Sequence, residues 1–391
     1  MQSSKASFWD IPLLGRGFRP FFLLAALSGC SFVLYWGTYM AGWLTVQMPF
    51  QDPVGWHAHE MVYGFCMAVV AGFLLTAVAN WTSWAPVRHA HLFVLCLLWL
   101  AGRVAPFVPS LPHIAQILLE LSFIPALTVS LYVPLHKTRN VRNYVFVALL
   151  SGLFAFDLMF MLTAELSWIH AALFLILAMA SLIGGRIIPA FTTSGLRPFG
   201  YNLPVYNQMK LDIACLVSLV GLALAHGLLP QQAYLTALLA LLSACAHFWR
   251  GRLYHTRLAL KVPLLWILHA GYFWLCGGLV LLAAGVMGWV PVSCAWHALT
   301  VGALGSLIIG MMCRVALGHT GRNLIATPAI VSTFWLMQLS ALLRVGGPLL
   351  WPAQYSLWIG LSALLWTSCF LVYLAVFSPY LLRARPDGLP A

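Results

Sequence analysis

The chain has 391 residues, of which 62% are hydrophobic and 7% charged, against roughly 25% charged in soluble domains. That composition excludes a soluble globular protein and defines an all-α polytopic membrane protein. The formal charge of +12 would suit nucleic acid by magnitude alone, but the placement of Lys and Arg excludes it.

Twelve apolar segments, each long enough to cross roughly 30 Å of hydrocarbon as a helix, run approximately over 21–44, 57–80, 90–108, 112–133, 143–164, 168–190, 210–228, 231–249, 262–287, 293–314, 328–345 and 354–381. The reading is one transmembrane domain over 1–391, with a cytoplasmic arm at 1–20 and a short cytoplasmic tail at 383–391. Eighteen of the 20 basic residues fall on alternate connections and the termini, and only Arg103 and Arg344 lie elsewhere. The positive-inside rule therefore puts both termini in the cytoplasm of an inner membrane, and the net charge suits an anionic inner leaflet.

In the arm, Asp10, Pro12, Arg16 and Arg19 precede the first apolar run, so no secretory signal is expected, while Phe8, Trp9, Ile11, Leu13 and Leu14 suit the cytoplasmic interface. The second segment opens with Trp56-His57-Ala58-His59-Glu60-Met61, two imidazoles and a carboxylate at the head of a long apolar run. Ionisable groups placed there are functional candidates by default. Residues two apart on a helix point about 200° apart, so His57 and His59 would face different neighbours, whereas His57 and Glu60 would share a face. The pair would serve two cofactors, or one if the helix begins only at Glu60. Glu60 would be a proton group or an acceptor fixing an imidazole.

Arg103 and Glu120, at comparable depth on consecutive helices, are expected to pair. The sixth segment opens with Trp168-Ile169-His170-Ala171, and Asp157 on the fifth would orient His170. The connection from Ile187 to Gln208, with three prolines and two glycines, reads as an ordered cytoplasmic turn region. His89, His91, His113, His136 and His226 read as loop residues. The nine cysteines form no C-x-x-C pair and read as small buried hydrophobes.

The tenth segment opens with Trp296-His297-Ala298. With the openings of the second and sixth, this gives a period of four helices. Three pseudo-symmetric four-helix units would resemble the catalytic subunit of haem-copper oxidases and nitric oxide reductases, which also draw metal-ligating histidines from helices two, six and ten. His57, His59, His170 and His297 all lie near the outer edge of the membrane. A haem b clamped between one second-helix histidine and His297 is the sharpest reading. Toward the cytoplasm, His269 and His319, with His247 and His255, are candidates for a second metal or haem site. Arg186, Arg314 and Arg322 are candidate partners for haem propionates, against a plain role as positive-inside loop charge. No C-x-x-C-H attachment motif is present, so any haem would be non-covalent.

Trp56-His57-Ala58-His59-Glu60-Met61, together with Phe18-Arg19-Pro20-Phe21-Phe22, Gly185-Arg186-Ile187-Ile188-Pro189, Leu268-His269-Ala270-Gly271-Tyr272 and the run from Gly310 to Arg322, resembles the NnrS family of bacterial membrane proteins over essentially the whole chain. The resemblance implies a twelve-helix inner-membrane protein containing haem and copper that helps bacteria withstand nitric oxide. It carries functional histidines to His57, His59, His269, His297 and His319. Two classes of function follow: a redox enzyme reducing NO, with electrons from quinol or a partner protein, or a non-catalytic protein that senses or sequesters NO. A transporter of a metal or small metabolite is the remaining alternative. The lipid bilayer and a small gaseous ligand are the expected partners, with no nucleic acid.

Overall fold

The computed structural model describes residues 9, 11–43 and 52–389; Lys5, Phe8 and Asp10 lie outside them. Among the described residues twelve helices are long and apolar enough to span a membrane: α1 (Phe18–Met40), α2 (Pro53–Thr82), α3 (His89–Phe107), α4 (His113–Lys137), α5 (Val141–Thr163), α6 (Leu166–Phe199), α7 (Met209–Leu228), α8 (Ala233–Gly251), α9 (Pro263–Val286), α10 (Val292–His319), α11 (Pro328–Leu350) and α12 (Pro352–Leu382). Among the described residues there is no β-strand. An even number of spans puts both ends on one side, and the excess of basic residues marks that side as cytoplasmic in a multi-pass inner-membrane protein.

Helix starts follow from local chemistry. The Asp52 carboxylate accepts from the backbone N–H groups of Val54 and Gly55, with Pro53 in the first turn. Pro263 and Pro328 likewise open α9 and α11, where a missing N–H costs nothing. Because α2 begins at Pro53, His57 and His59 are both already helical and point apart, so they do not converge on one site. In α4 the hydrogen-bonded run breaks at Ser122. Pro125 has no N–H to give the Leu121 carbonyl, and the break falls beside Glu120.

The turn region expected between Ile187 and Gln208 is helical through Leu196 and ends in a 3-10 turn at Arg197–Phe199. Only about its last third has no regular secondary structure, because Pro189 is carried inside the helix rather than ending it. Helix α10 likewise runs five residues past its expected end, to His319.

Burial decides which helices form the centre. In α2 and α10, 78% of the apolar window is buried, and in α6 67%, against 33% in α3, α5 and α7. The first three therefore stand inside, and α3, α5 and α7 turn residues such as Val94, Leu97, Val217 and Leu224 outward. One apolar core runs from Leu14 to Leu381. Helices α9 and α10 touch closely at Gly271, where a Cβ would come within 3.0 Å of the Ala303 carbonyl oxygen and the Leu307 nitrogen.

Two of the three central helices carrying candidate histidines widen into π turns, Glu60–Cys66 in α2 and Ala298–Gly305 in α10. Such turns are rare and concentrate at functional sites. Each begins immediately after a histidine, His59 or His297.

Candidate functional site

A cavity of about 370 Å3 opens between the outer halves of α1, α2, α6, α10, α11 and α12, within the range usual for small-molecule and cofactor sites. His57, His170 and His297 all line it, one from each of α2, α6 and α10. Its walls are otherwise mostly apolar. Met61 and Cys66 bring sulfur to it, and Arg344 and Tyr355 bring the principal polar side chains apart from the imidazoles.

Each imidazole is held differently. His57 stacks on Trp36, ring centroids 4.5 Å apart and 7° from parallel. His297 Nδ1 lies 2.7 Å from the Ser293 carbonyl oxygen. A carbonyl only accepts, so Nδ1 carries the proton and Nε2 of the neutral ring keeps a lone pair, the usual preparation of a metal-ligating histidine. His170 stacks on Trp296, and its Nδ1 is 3.3 Å from His226 Nε2. His226 is thus no loop residue. It sits in the last turns of α7, packed on His170, Phe174 and Trp296, with a buried Nδ1 that has no hydrogen-bond partner.

Below this space lies a second cavity of about 90 Å3, lined by apolar side chains of α1, α2, α6, α9 and α10. Cys66 and Leu304 line both. Hydrocarbon walls therefore continue from the histidines toward mid-membrane.

His59 turns away from the cavity into a buried polar cluster. Its Nδ1 is 3.3 Å from Glu60 Oε1 and its Nε2 3.1 Å from Asp157 Oδ1 and 3.7 Å from Glu120 Oε1. Arg103 pairs with Glu120, as the matching depths require, and its Nε lies 3.4 Å from Glu60 Oε2. Two sequence expectations change here. Asp157 meets His59 rather than His170, and Glu60 meets His59 and Arg103 rather than sharing the face of His57. The π turn beginning at Glu60 alters the angular register, and a buried carboxylate goes where a guanidinium can neutralise it. Gly64 leaves the necessary room, since a Cβ there would come 2.9 Å from Glu60 Oε2. His59, Glu120 and Asp157 each offer a ligand atom within 4.8 Å of the others, enough to hold a metal ion.

The cytoplasmic-side candidates stand apart from both groups. His269 Nε2 is 2.8 Å from Thr192 Oγ1, whose proton goes to the Ile188 carbonyl, and His269 Nδ1 is 3.0 Å from Thr256 Oγ1. Both ring nitrogens are thereby satisfied. His247 is bonded through Nδ1 to the Ser243 carbonyl and through Nε2 to Ser181. His255 Nε2 donates to the Pro204 carbonyl. His319, at the end of α10, lies beside the Phe18 ring. Arg186 donates to Asn143, Arg314 lies over Phe191 and Arg322 over Tyr380, so each of the three arginines has its own local partner.

The sequence reading passed over Trp36 and Tyr355, took His226 for a loop residue and gave Arg344 no role. For Arg344 a signal existed: it is one of two basic residues off the cytoplasmic side. The others carried none, because aromatic residues and outer-edge histidines are ordinary in helix ends.

Fold and site together define a twelve-span all-α membrane protein whose central helices bring histidines to an apolar cavity at the outer face. The chain belongs to the NnrS family: the family model described as NnrS protein matches residues 12–385. Among curated proteins none matches the chain significantly.

Proposed function

We propose that the outer cavity is a haem- and copper-binding centre through which the protein handles nitric oxide, most simply by reducing it. The observation that carries this is the convergence of His57, His170 and His297, from three separate helices, on one apolar cavity. Membership of the NnrS family supports it.

The residues present fit such a group. Neutral imidazoles, one with Nε2 left free by the Ser293 bond, suit iron or copper, and the thioether of Met61 and thiol of Cys66 suit Cu(I). His57 and His297 would hold the haem iron, with His170 as a further imidazole donor. When bound, such a centre supplies an iron or copper position able to take a diatomic ligand and change oxidation state.

The protein's own contribution is orientation and exclusion. Trp36 and Trp296 fix two imidazole planes, Ser293 fixes the tautomer of the third, and the largely apolar walls limit access of bulk water. Lining of hydrocarbon from the outer cavity into the second one suits an uncharged gas better than an ion, which favours NO handling over ion transport. Glu60 faces His59 and Arg103 rather than the cavity, and so serves as a proton or orienting group of the His59 cluster rather than as a ligand of the outer centre. His59 with Glu120 and Asp157 forms a separate candidate metal site, and His269 and His319 belong to a distinct cytoplasmic-side group. Electrons would come from quinol or a partner protein.

The threefold arrangement of four-helix units belongs to the same proposal. Its support is the Trp-His openings of α2, α6 and α10, the shared cavity, and the π turns that follow His59 and His297.

The test is metal analysis with a reduced-minus-oxidised visible spectrum of the purified protein, repeated with NO. Haem bands that shift with NO, with copper present, support the centre, and steady consumption of NO with a reductant supports turnover. Haem that binds NO without consuming it gives the sensing or sequestering role. A colourless, metal-free protein, after expression with ample haem and copper, overturns the centre and turns attention to transport of a metal or small metabolite.

A further inference from the structure

We propose that Arg344 makes the outer cavity an oxyanion site, binding a carboxylate or similar small anion through its guanidinium with the Tyr355 hydroxyl beside it. This deepens the reading of the same cavity and rests on it only for the source of the anion.

Arg344 sits in α11, about a turn and a half from its outer end, and lines the cavity. It is 7% exposed. Its Nη1 is buried without a hydrogen-bond partner, and its Nη2 reaches only the Tyr355 hydroxyl at 3.5 Å. Among the described residues lining the cavity there is no Asp or Glu. The other basic residue off the cytoplasmic side, Arg103, has two carboxylates in reach, so Arg344 stands in contrast to it.

A guanidinium cannot shed its proton and carries five N–H donors in a rigid fork. Left in an apolar cavity with one donor wholly unsatisfied, it bears a desolvation cost that an opposite charge relieves. The fork matches the two oxygens of a carboxylate, and the Tyr355 hydroxyl can donate to the same group. The open cavity beside it leaves space that a side chain of the protein would otherwise have filled.

One ligand chemistry has two sources here: a carboxylate carried by a macrocyclic cofactor, or a free small oxyanion. The experiment uses full-length protein in detergent, depleted of haem, as wild type and as Arg344→Gln and Arg344→Lys. Each is titrated with haem, with haem whose two carboxylates are esterified, and with sodium formate read through tryptophan fluorescence, since Trp36, Trp296 and Trp366 line the cavity. Thermal melting of each variant checks folding.

If the anion belongs to a cofactor, wild type binds haem about tenfold or more tighter than the diester, Arg344→Gln abolishes the preference, and Arg344→Lys keeps part of it. If the anion is free, haem and diester bind alike, and a saturable formate response disappears in Arg344→Gln while Arg344→Lys retains a weaker one. Formate binding that depends on Arg344, in a protein that takes up neither haem, sustains the oxyanion site and removes the haem reading. Haem uptake with no preference for the free carboxylates and no formate response in folded wild type overturns the oxyanion site and leaves the haem reading standing.

Discussion

His170 and Trp296 lie face to face, ring centroids 4.0 Å apart and planes 10° from parallel. The tryptophan that opens α10 thus covers the histidine that opens α6, so two of the three helix openings hold one another in place. The stack also presses Trp296 on His226 and Phe174, a four-ring cluster of which His170 and Trp296 line the cavity.

Replacing Trp296 by Leu keeps an apolar side chain but removes the ring pairing, which contributes about 0.5–1.5 kcal/mol beyond burial. Thermal unfolding in detergent is expected to show a loss of that order. Metal or haem occupancy should fall too, because His170 loses its fixed plane. Unchanged unfolding and occupancy together would show that the stack positions nothing.

His57→Ala and His297→Ala are expected to abolish the low-spin haem signal, whereas His59→Ala and His319→Ala leave it, because His59 faces the carboxylates and His319 the cytoplasmic end. Second-helix selectivity is the informative comparison: two histidines separated by one residue should give opposite spectra. Loss of haem in all four variants would indicate one shared site or misfolding, and melting curves separate those outcomes.

The number and direction of the spans were legible in the sequence because each carries a long, largely apolar run and the basic residues collect at alternate ends. The opposed directions of His57 and His59 were legible too, from helical geometry alone. The partner of Asp157 was not. It comes from the packing of α5 against α2, a contact remote in sequence, and the residues Glu-Met-Val-Tyr-Gly-Phe-Cys likewise give no local sign that the helix widens at Glu60–Cys66. The continuation of α6 through Pro189 was hidden for a related reason: proline signals a helix end by its missing donor, and only tertiary packing of Ile188, Thr192 and Leu196 overrides that signal. His226 was misread because its role comes from α6 and α10, remote in sequence.

The C-terminal tail supplies a pH-dependent contact outside the membrane. Arg385 donates from Nε and Nη2 to the two Asp387 oxygens at 2.9 and 2.6 Å, and from Nη1 to the His319 carbonyl at 3.0 Å. The Arg385 hydrogen bond draws the Asp387 carboxyl down to about 2, below the usual value of about 3.9. A depressed carboxyl contributes fully above its unfolded value and loses that contribution as pH falls through its folded value. The tail is therefore expected to stay docked at pH 5 and to loosen between about pH 4 and 2. A spin label on the tail should report this, and Asp387→Asn should already be loose at neutral pH. A tail equally mobile in both proteins at pH 7 would refute the role.

Topology gives a direct check on the depth of the cavity. Reporter fusions after Ser110, Glu165 and Trp289 should report the periplasm, and fusions after Thr138 and Gly200 the cytoplasm. The opposite pattern would move the histidines to the inner face and reverse the assignment of the basic loops.

The polar cluster around His59 tests whether buried charge here is balanced or surplus. Three carboxylates, Glu60, Glu120 and Asp157, face one guanidinium and one imidazole, and Asp157 Oδ2 has no hydrogen-bond partner. Removing one partner of a buried pair typically costs about 3–5 kcal/mol because the other charge is left unpaired. Arg103→Met should therefore destabilise the protein by that amount, and Glu120→Gln by less, since two other carboxylates remain for Arg103 and His59. In the double variant the coupling between the two positions is expected to recover at least 1 kcal/mol relative to the sum of the single losses. Simple additivity in the detergent melts would show that Arg103 serves Glu60 and Asp157 as much as Glu120, and that the cluster acts as one body rather than as a pair.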